Sequence, residues 1–235
     1  MYTTRRRLMA GLAGASFALS PLAGGLIARP ARAAASGPGV APEEAIARLM
    51  AGNARHQAGS YTASAVLKER MARFTEGQSP FCIVITCSDS RVVPDIIFDS
   101  APGDIFVMRV AGNIVSPLTI GSAEYAATAL NVRLVMVLGH SKCGAVGAAV
   151  TEVEKGQAPG GELGGLVREI VPAVVRARRR NPADLLQAAV EENAMLGVDR
   201  ISSSMPVMAP LVTSGQVKVV GAVYDLGSGA VKLVN

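Results

Sequence analysis

An α/β fold built on a mostly parallel central sheet is predicted by three observations. Short unbroken runs rich in Val and Ile suit strands buried on both faces, longer stretches with helical patterning alternate with them, and residues with chemical function follow directly after two of the runs. About four strands plus an antiparallel edge strand, flanked by helices, are expected.

Pro42-Glu43-Glu44 opens the first helix, with Ala45, Ile46, Leu49 and Met50 at amphipathic spacing and Pro and acids in its first turn. A second helix is expected over Ala63 to Phe74. The strand runs are Phe81 to Ile85, Ile105 to Met108, Leu134 to Leu138 and Val217 to Val223, bounded by Gly, Pro and Asp. Helical stretches lie between them at Ser122 to Leu130, Ala145 to Glu154, and in one long region from Leu163 to about Ser204. Gly227-Ser228-Gly229 precedes Ala230 to Val234, which can return as the antiparallel edge. No internal repeat interrupts this single domain, assigned to 42–235.

Composition narrows the class of protein. With 50% hydrophobic and 17% charged residues the chain is not disordered, and three Cys in 235 residues do not make a disulfide scaffold. The formal charge of +5 comes from 23 Lys and Arg against 18 Asp and Glu. Arg5, Arg6, Arg7, Arg29 and Arg32 are the only charged residues before Glu43, and without them the chain is balanced. The excess therefore belongs to a leader. Thr4-Arg5-Arg6-Arg7-Leu8-Met9 is a twin-arginine-like start, Leu8 to Ala28 is uncharged, and Ala31-Arg32-Ala33 is a small-x-small cleavage pattern. Residues 1–33 read as an export signal and 34–41 as a linker, giving an exported, extracytoplasmic protein with no membrane attachment after cleavage. An uncleaved anchor is the rival, since Leu8 to Ala28 is long enough to span a bilayer.

Two strand ends carry the chemistry. One reads Thr86-Cys87-Ser88-Asp89-Ser90-Arg91, the other Gly139-His140-Ser141-Lys142-Cys143-Gly144. Parallel strands bring both to one edge of the sheet, so Cys87, His140 and Cys143 converge. Two thiolates and an imidazole suit one Zn²⁺ and leave a fourth position open. Cys143 also falls near the start of a helix, whose dipole favours thiolate. His56 and Cys82 are the remaining His and Cys. A Cys82–Cys87 disulfide is conceivable but would remove a ligand.

These segments, with Pro102 to Arg109, Ala111-Gly112-Asn113, Glu124-Tyr125-Ala126 and Leu138 to Val146, resemble the β-class carbonic anhydrases over Pro42 to Asn235. The likeness is to bacterial members of the plant-type branch. It implies zinc-dependent reversible hydration of CO2 to bicarbonate and a proton, by attack of zinc-bound hydroxide, in a homodimer or tetramer.

Asp89 then orients the attacking oxygen, and Arg91 holds the carboxylate in a bidentate pair that keeps it from becoming a fourth ligand in a closed state. Gln78, Phe106 and Tyr125 match substrate-pocket positions that the family usually supplies from the partner subunit. The Gly144 N–H is a candidate oxyanion donor. The bicarbonate-inhibited branch carries a Trp where Val84 stands, and this chain has no Trp. An open, active site near neutral pH is therefore expected, although Arg109 and Tyr224 match other positions of that regulatory site.

Two alternatives stay open on the residues. One is a CS2 or COS hydrolase on the same scaffold; the other is a zinc-stabilised binding protein without turnover, which has no need of Asp89, Arg91 and Gln78 together. Arg176 to Arg180 read as the basic last turn of a helix and not as a nucleic-acid patch. No phosphate-cradling Gly loop is present.

Overall fold

The computed structural model describes residues 39–72 and 74–234. The export-signal reading of 1–33 lies outside the described residues.

Five strands form one sheet in the order β2-β1-β3-β4-β5. They are β1 (Cys82–Thr86), β2 (Ile105–Arg109), β3 (Leu134–His140), β4 (Lys218–Tyr224) and β5 (Val231–Val234). The first four are parallel and β5 is antiparallel to β4. Eight α-helices accompany them among the described residues: α1 (Pro42–Ala58), α2 (Leu67–Met71), α3 (Pro94–Ile97), α4 (Pro117–Ala129), α5 (Gly144–Lys155), α6 (Gly161–Arg179), α7 (Leu185–Ser202) and α8 (Met208–Thr213). None of the described helices is long and apolar enough to cross a membrane.

The unbroken apolar runs arise because β1 and β3 are buried on both faces along their whole length. Period-two alternation sorts their side chains. Val84, Met136 and Leu138 meet Ala45 and Leu49 of α1 together with Ile97 and Phe98. Ile83, Ile85, Val135 and Val137 meet Ala123 and Ala126 of α4 and Ala194 and Ile201 of α7. A third cluster joins Cys87, Ile114 and Cys143 to Val146, Val167, Ile170, Val174 and Val190 of α5 to α7. The site is thus walled by its own core.

Helix boundaries differ from the sequence expectation where caps intervene. The long region from Leu163 is two helices, because Asn181 turns left-handed (φ 47°) ahead of Pro182, which cannot donate to a continuing helix. Asp184 then restarts the chain, its Oδ1 accepting the Gln187 N–H at 2.9 Å. Arg176 and Arg180 pair with Asp199 and Glu192 of α7. Helix α4 begins at Pro117, earlier than expected, behind the Ser116 cap. The stretch expected as one helix over Ala63 to Phe74 is instead a 3-10 turn, the short α2 and a second 3-10 turn at Phe74–Glu76.

Candidate metal centre and active site

Adjacent parallel strands create the site. Thr86 pairs with Leu138 in register, and the Thr86 hydroxyl donates to the Leu138 carbonyl at 2.8 Å. Cys87 and His140 lie just beyond those paired positions, on the same sheet edge. Lys142 takes a left-handed turn (φ 57°) that brings Cys143 back as the N-terminal cap residue of α5. The three ligand atoms lie within 4.8 Å of one another, and all three residues are buried.

The local chemistry fits a soft dication. His140 Nδ1 is 3.0 Å from the Ser141 carbonyl, to which it donates as the Nδ1–H tautomer, so Nε2 presents its lone pair. That Nε2 is buried and has no hydrogen-bond partner. The Cys87 sulfur also receives two backbone N–H groups, from Asp89 at 3.4 Å and from Gly112 at 3.2 Å. The Cys87 thiol is held well below its ordinary value, chiefly by the neighbouring Cys143; burial opposes this, and the Asp89 and Gly112 amides assist. Cys143 is pushed up, first by the neighbouring Cys87 and then by burial. Two buried cysteine sulfurs beside an unpartnered imidazole nitrogen are a donor set compatible with a soft dication such as zinc.

Asp89 and Arg91 flank this set. Arg91 donates Nε–H to Asp89 Oδ1 at 2.9 Å and Nη2–H to Oδ2 at 2.7 Å, and its backbone N–H adds a third bond to Oδ1 at 3.0 Å. Arg91 above all holds the carboxyl well below the usual carboxylate range. Arg109, considered from sequence only as part of a regulatory site, supports the same loop: Nε donates to the Cys87 carbonyl at 3.1 Å and Nη2 to the Asp89 carbonyl at 2.6 Å. Gly144 is the first residue of α5, next to Cys143.

The remaining pocket candidates lie elsewhere on the chain. Phe106 pairs with Ile83, four residues before Cys87, which is roughly 13 Å along the strand. Its ring packs 6.3 Å from the half-exposed Tyr125, and Gln78 lines a separate open groove with Phe74 and Asp104. One chain does not bring these three to the metal ligands. His56 is engaged by two tyrosines, with Nε2 3.1 Å from Tyr224 Oη and Nδ1 2.8 Å from Tyr61 Oη, and is not in the ligand cluster. Cys82 is a free thiol at the other end of β1, buried beside Val84, and no disulfide joins it to Cys87. Burial pushes its thiol up.

A buried Cys2His set at the carboxyl edge of a parallel sheet, with an Arg-held carboxylate beside it, is compatible with the metal centre of a lyase or hydrolase. A carbonic anhydrase family model matches residues 82–231. Carbonic anhydrase 2 of Mycobacterium tuberculosis is 35% identical over 195 residues, covering 82% of this chain and 92% of that protein. The carbonic anhydrase of Mycolicibacterium smegmatis is 34% identical over 194 residues, covering 82% and 93%. Among solved structures, a Coccomyxa β-carbonic anhydrase in complex with acetazolamide superposes with TM-score 0.64 at 29% identity, covering 73% of this chain and 79% of that one. Tetrameric β-carbonic anhydrases from Sordaria macrospora give TM-score 0.62 at 25% identity, covering 82% and 95%. The chain belongs to the carbonic anhydrase family and has the fold of its β class. Its activity is the reversible hydration of CO2 to bicarbonate and a proton.

Proposed function

We propose that Cys87, His140 and Cys143 hold one zinc ion per chain, that Asp89 and Arg91 govern its open position, and that the working unit is a homodimer or tetramer. The observation that carries the metal reading is the buried, unpartnered Nε2 of His140, a residue whose ligand atom lies within 4.8 Å of both sulfurs. Bound there, zinc supplies the Lewis acidity that makes a coordinated water acidic enough to ionise near neutral pH. The chain's own groups do the rest. Asp89, kept ionised by Arg91, accepts a hydrogen bond from the attacking oxygen and sets its direction. The Gly144 N–H, at the start of α5 beside Cys143, is assigned as the donor to the oxygen on which charge develops. The apolar wall of Ile114, Val146 and Ile170 limits access of bulk water.

A second copy of the chain accounts for Gln78, Phe106 and Tyr125. They lie too far from the cluster to act within one chain, and presented by a partner they would line its apolar approach for CO2. The tetrameric state of the Sordaria enzymes supports this reading. The Arg176 and Arg180 ion pairs with Asp199 and Glu192 support a helix-end role for that basic run.

Export through a twin-arginine leader, cut near Ala33 and leaving no membrane attachment, is proposed on the charge distribution and the Ala31-Arg32-Ala33 pattern. N-terminal sequencing of the exported protein tests it, and a start upstream of Arg29 would overturn it. For catalysis, stopped-flow CO2 hydration on protein lacking residues 1–33 should show turnover with one zinc per chain. It should fall sharply in Asp89→Asn and vanish with the metal in Cys143→Ala. One zinc per chain without turnover would refute the roles given to Asp89 and Arg91.

A further inference from the structure

Asn193 lies on the buried side of α7, and its Nδ2 donates a 2.7 Å hydrogen bond to the Gly112 carbonyl across 81 positions of sequence. Gly112 is left-handed (φ 69°), and a Cβ there would come within 2.6 Å of Ile170 Cδ1, so α6 closes the turn from the other side. The N–H of the same Gly112 donates to Cys87 Sγ at 3.2 Å. The other backbone donor to Cys87, Asp89, comes from the local turn that follows the cysteine. Gly112 alone is brought in from 25 positions away. The turn continues from β2, where the Val110 N–H donates to the Thr86 carbonyl at 3.0 Å, and Asn193 adds a second hold from α7 on the other side.

The helix that holds it is itself closely seated. A Cβ on Gly197, one turn beyond Asn193, would lie 2.8 Å from Val137 Cγ1 and 3.1 Å from Val115 Cγ2, so α7 rests flush on β3. Arg200, on the same face, donates to the Val115 carbonyl at 3.1 Å. Asn193, Gly197 and Arg200 thus all fix the segment that follows β2.

We propose that Asn193 is a positioning residue of the metal centre: it holds the Gly112 turn so that an amide hydrogen bond stays on the Cys87 sulfur. The inference rests on the reading of Cys87, His140 and Cys143 as zinc ligands. An N–H directed at a ligand thiolate withdraws electron density from it, so the metal is less neutralised and remains the stronger Lewis acid. Without that bond Cys87 donates more strongly, and the pH at which the enzyme becomes active rises.

The test uses the full domain loaded with Co²⁺ for spectroscopy and with Zn²⁺ for kinetics, comparing wild type with Asn193→Ser and Asn193→Leu. In both variants the thiolate-to-cobalt charge-transfer band should move to longer wavelength. The midpoint of the kcat/KM pH profile should rise, with activity lost severalfold at neutral pH and regained at alkaline pH. Ile201→Val, a buried change elsewhere on α7, should lower thermal stability without moving either readout. Asn193→Ser with the wild-type band and pH midpoint would overturn the proposal, whether or not the Leu variant folds, and so would an equal shift in Ile201→Val. A wild-type protein with no thiolate band on Co²⁺ loading would instead remove the metal reading beneath it.

Discussion

Arg91 binds both carboxylate oxygens of Asp89, at 2.9 and 2.7 Å, and so restrains a group whose Oδ2 lies only 3.9 Å from His140 Nε2. A carboxylate that close to a ligand atom can become a ligand itself, and a bidentate pair is the force opposing that. Arg91→Ala should therefore lower kcat/KM by about tenfold or more, an estimate from the usual cost of disabling a group that assists proton transfer. Zinc should also be held more tightly in competition with a chelator. Arg91→Lys should recover only part of the activity, because an ammonium is a single point donor. Unchanged turnover in Arg91→Ala would remove the gate.

The distance between Phe106 and the cluster gives a complementation test. Gln78→Ala chains keep the metal ligands, and Cys143→Ala chains keep Gln78. If each site is built from two chains, co-expressed mixtures should show more CO2 hydration than the sum of the separately purified variants. Strict additivity would place Gln78 outside the site.

Asp99 should dominate acid sensitivity of the fold near α1. It accepts from the Thr62 and Ala63 amides at 2.9 Å and the Thr62 hydroxyl at 2.8 Å, and it pairs with Arg55. Burial alone would raise its pKa, but the Ala63 amide, Arg55 and Thr62 outweigh it and hold the carboxyl below the usual range. A depressed folded-state pKa means the stabilisation is complete above the unfolded value near 4 and is lost as pH falls below it. Asp99→Asn should cost about 2 kcal/mol at neutral pH, or roughly 4–8 °C in Tm. The gap from wild type should narrow as pH falls from 5 towards 3, and a gap independent of pH would refute the assignment.

Gly197→Ala tests the seating of α7. The added methyl would meet Val137 and Val115, both stiff β-branched side chains. A loss of about 1–3 kcal/mol is expected for such overpacking, readable by thermal or urea unfolding. A gain in stability, as expected for Gly to Ala in an open helix position, would show that the contact yields.

The Cys87, His140 and Cys143 cluster and the Asp89–Arg91 pair were legible in the sequence because each partner lies within a few residues of a recognisable strand end. Parallel pairing, itself implied by the alternation of runs, was enough to bring Cys87 to His140. The division of the Leu163 to Ser204 region was less visible. It depended on a left-handed Asn181 and an Asp184 cap, short signals within a long apolar pattern. Arg109 was noticed, but its hold on the Cys87 and Asp89 carbonyls depends on the exact run of the backbone beyond β1. Asn193 gave no signal, since a lone Asn on a helix resembles any polar residue until its neighbours are known.

The mostly parallel sheet and the edge at which Cys87, His140 and Cys143 meet were readable from local periodicity and residue chemistry, and the charge balance downstream of residue 33 from counting. Which distant groups touch followed from the packing of helices on the sheet. That packing placed the Gly112 amide on Cys87 under the hold of Asn193, and it set Gln78, Phe106 and Tyr125 away from the metal ligands of their own chain. Those relationships come from packing one helix or strand against another, where a glycine or a cap shifts a neighbour by an ångström or more, and no local pattern encodes a contact across 81 positions.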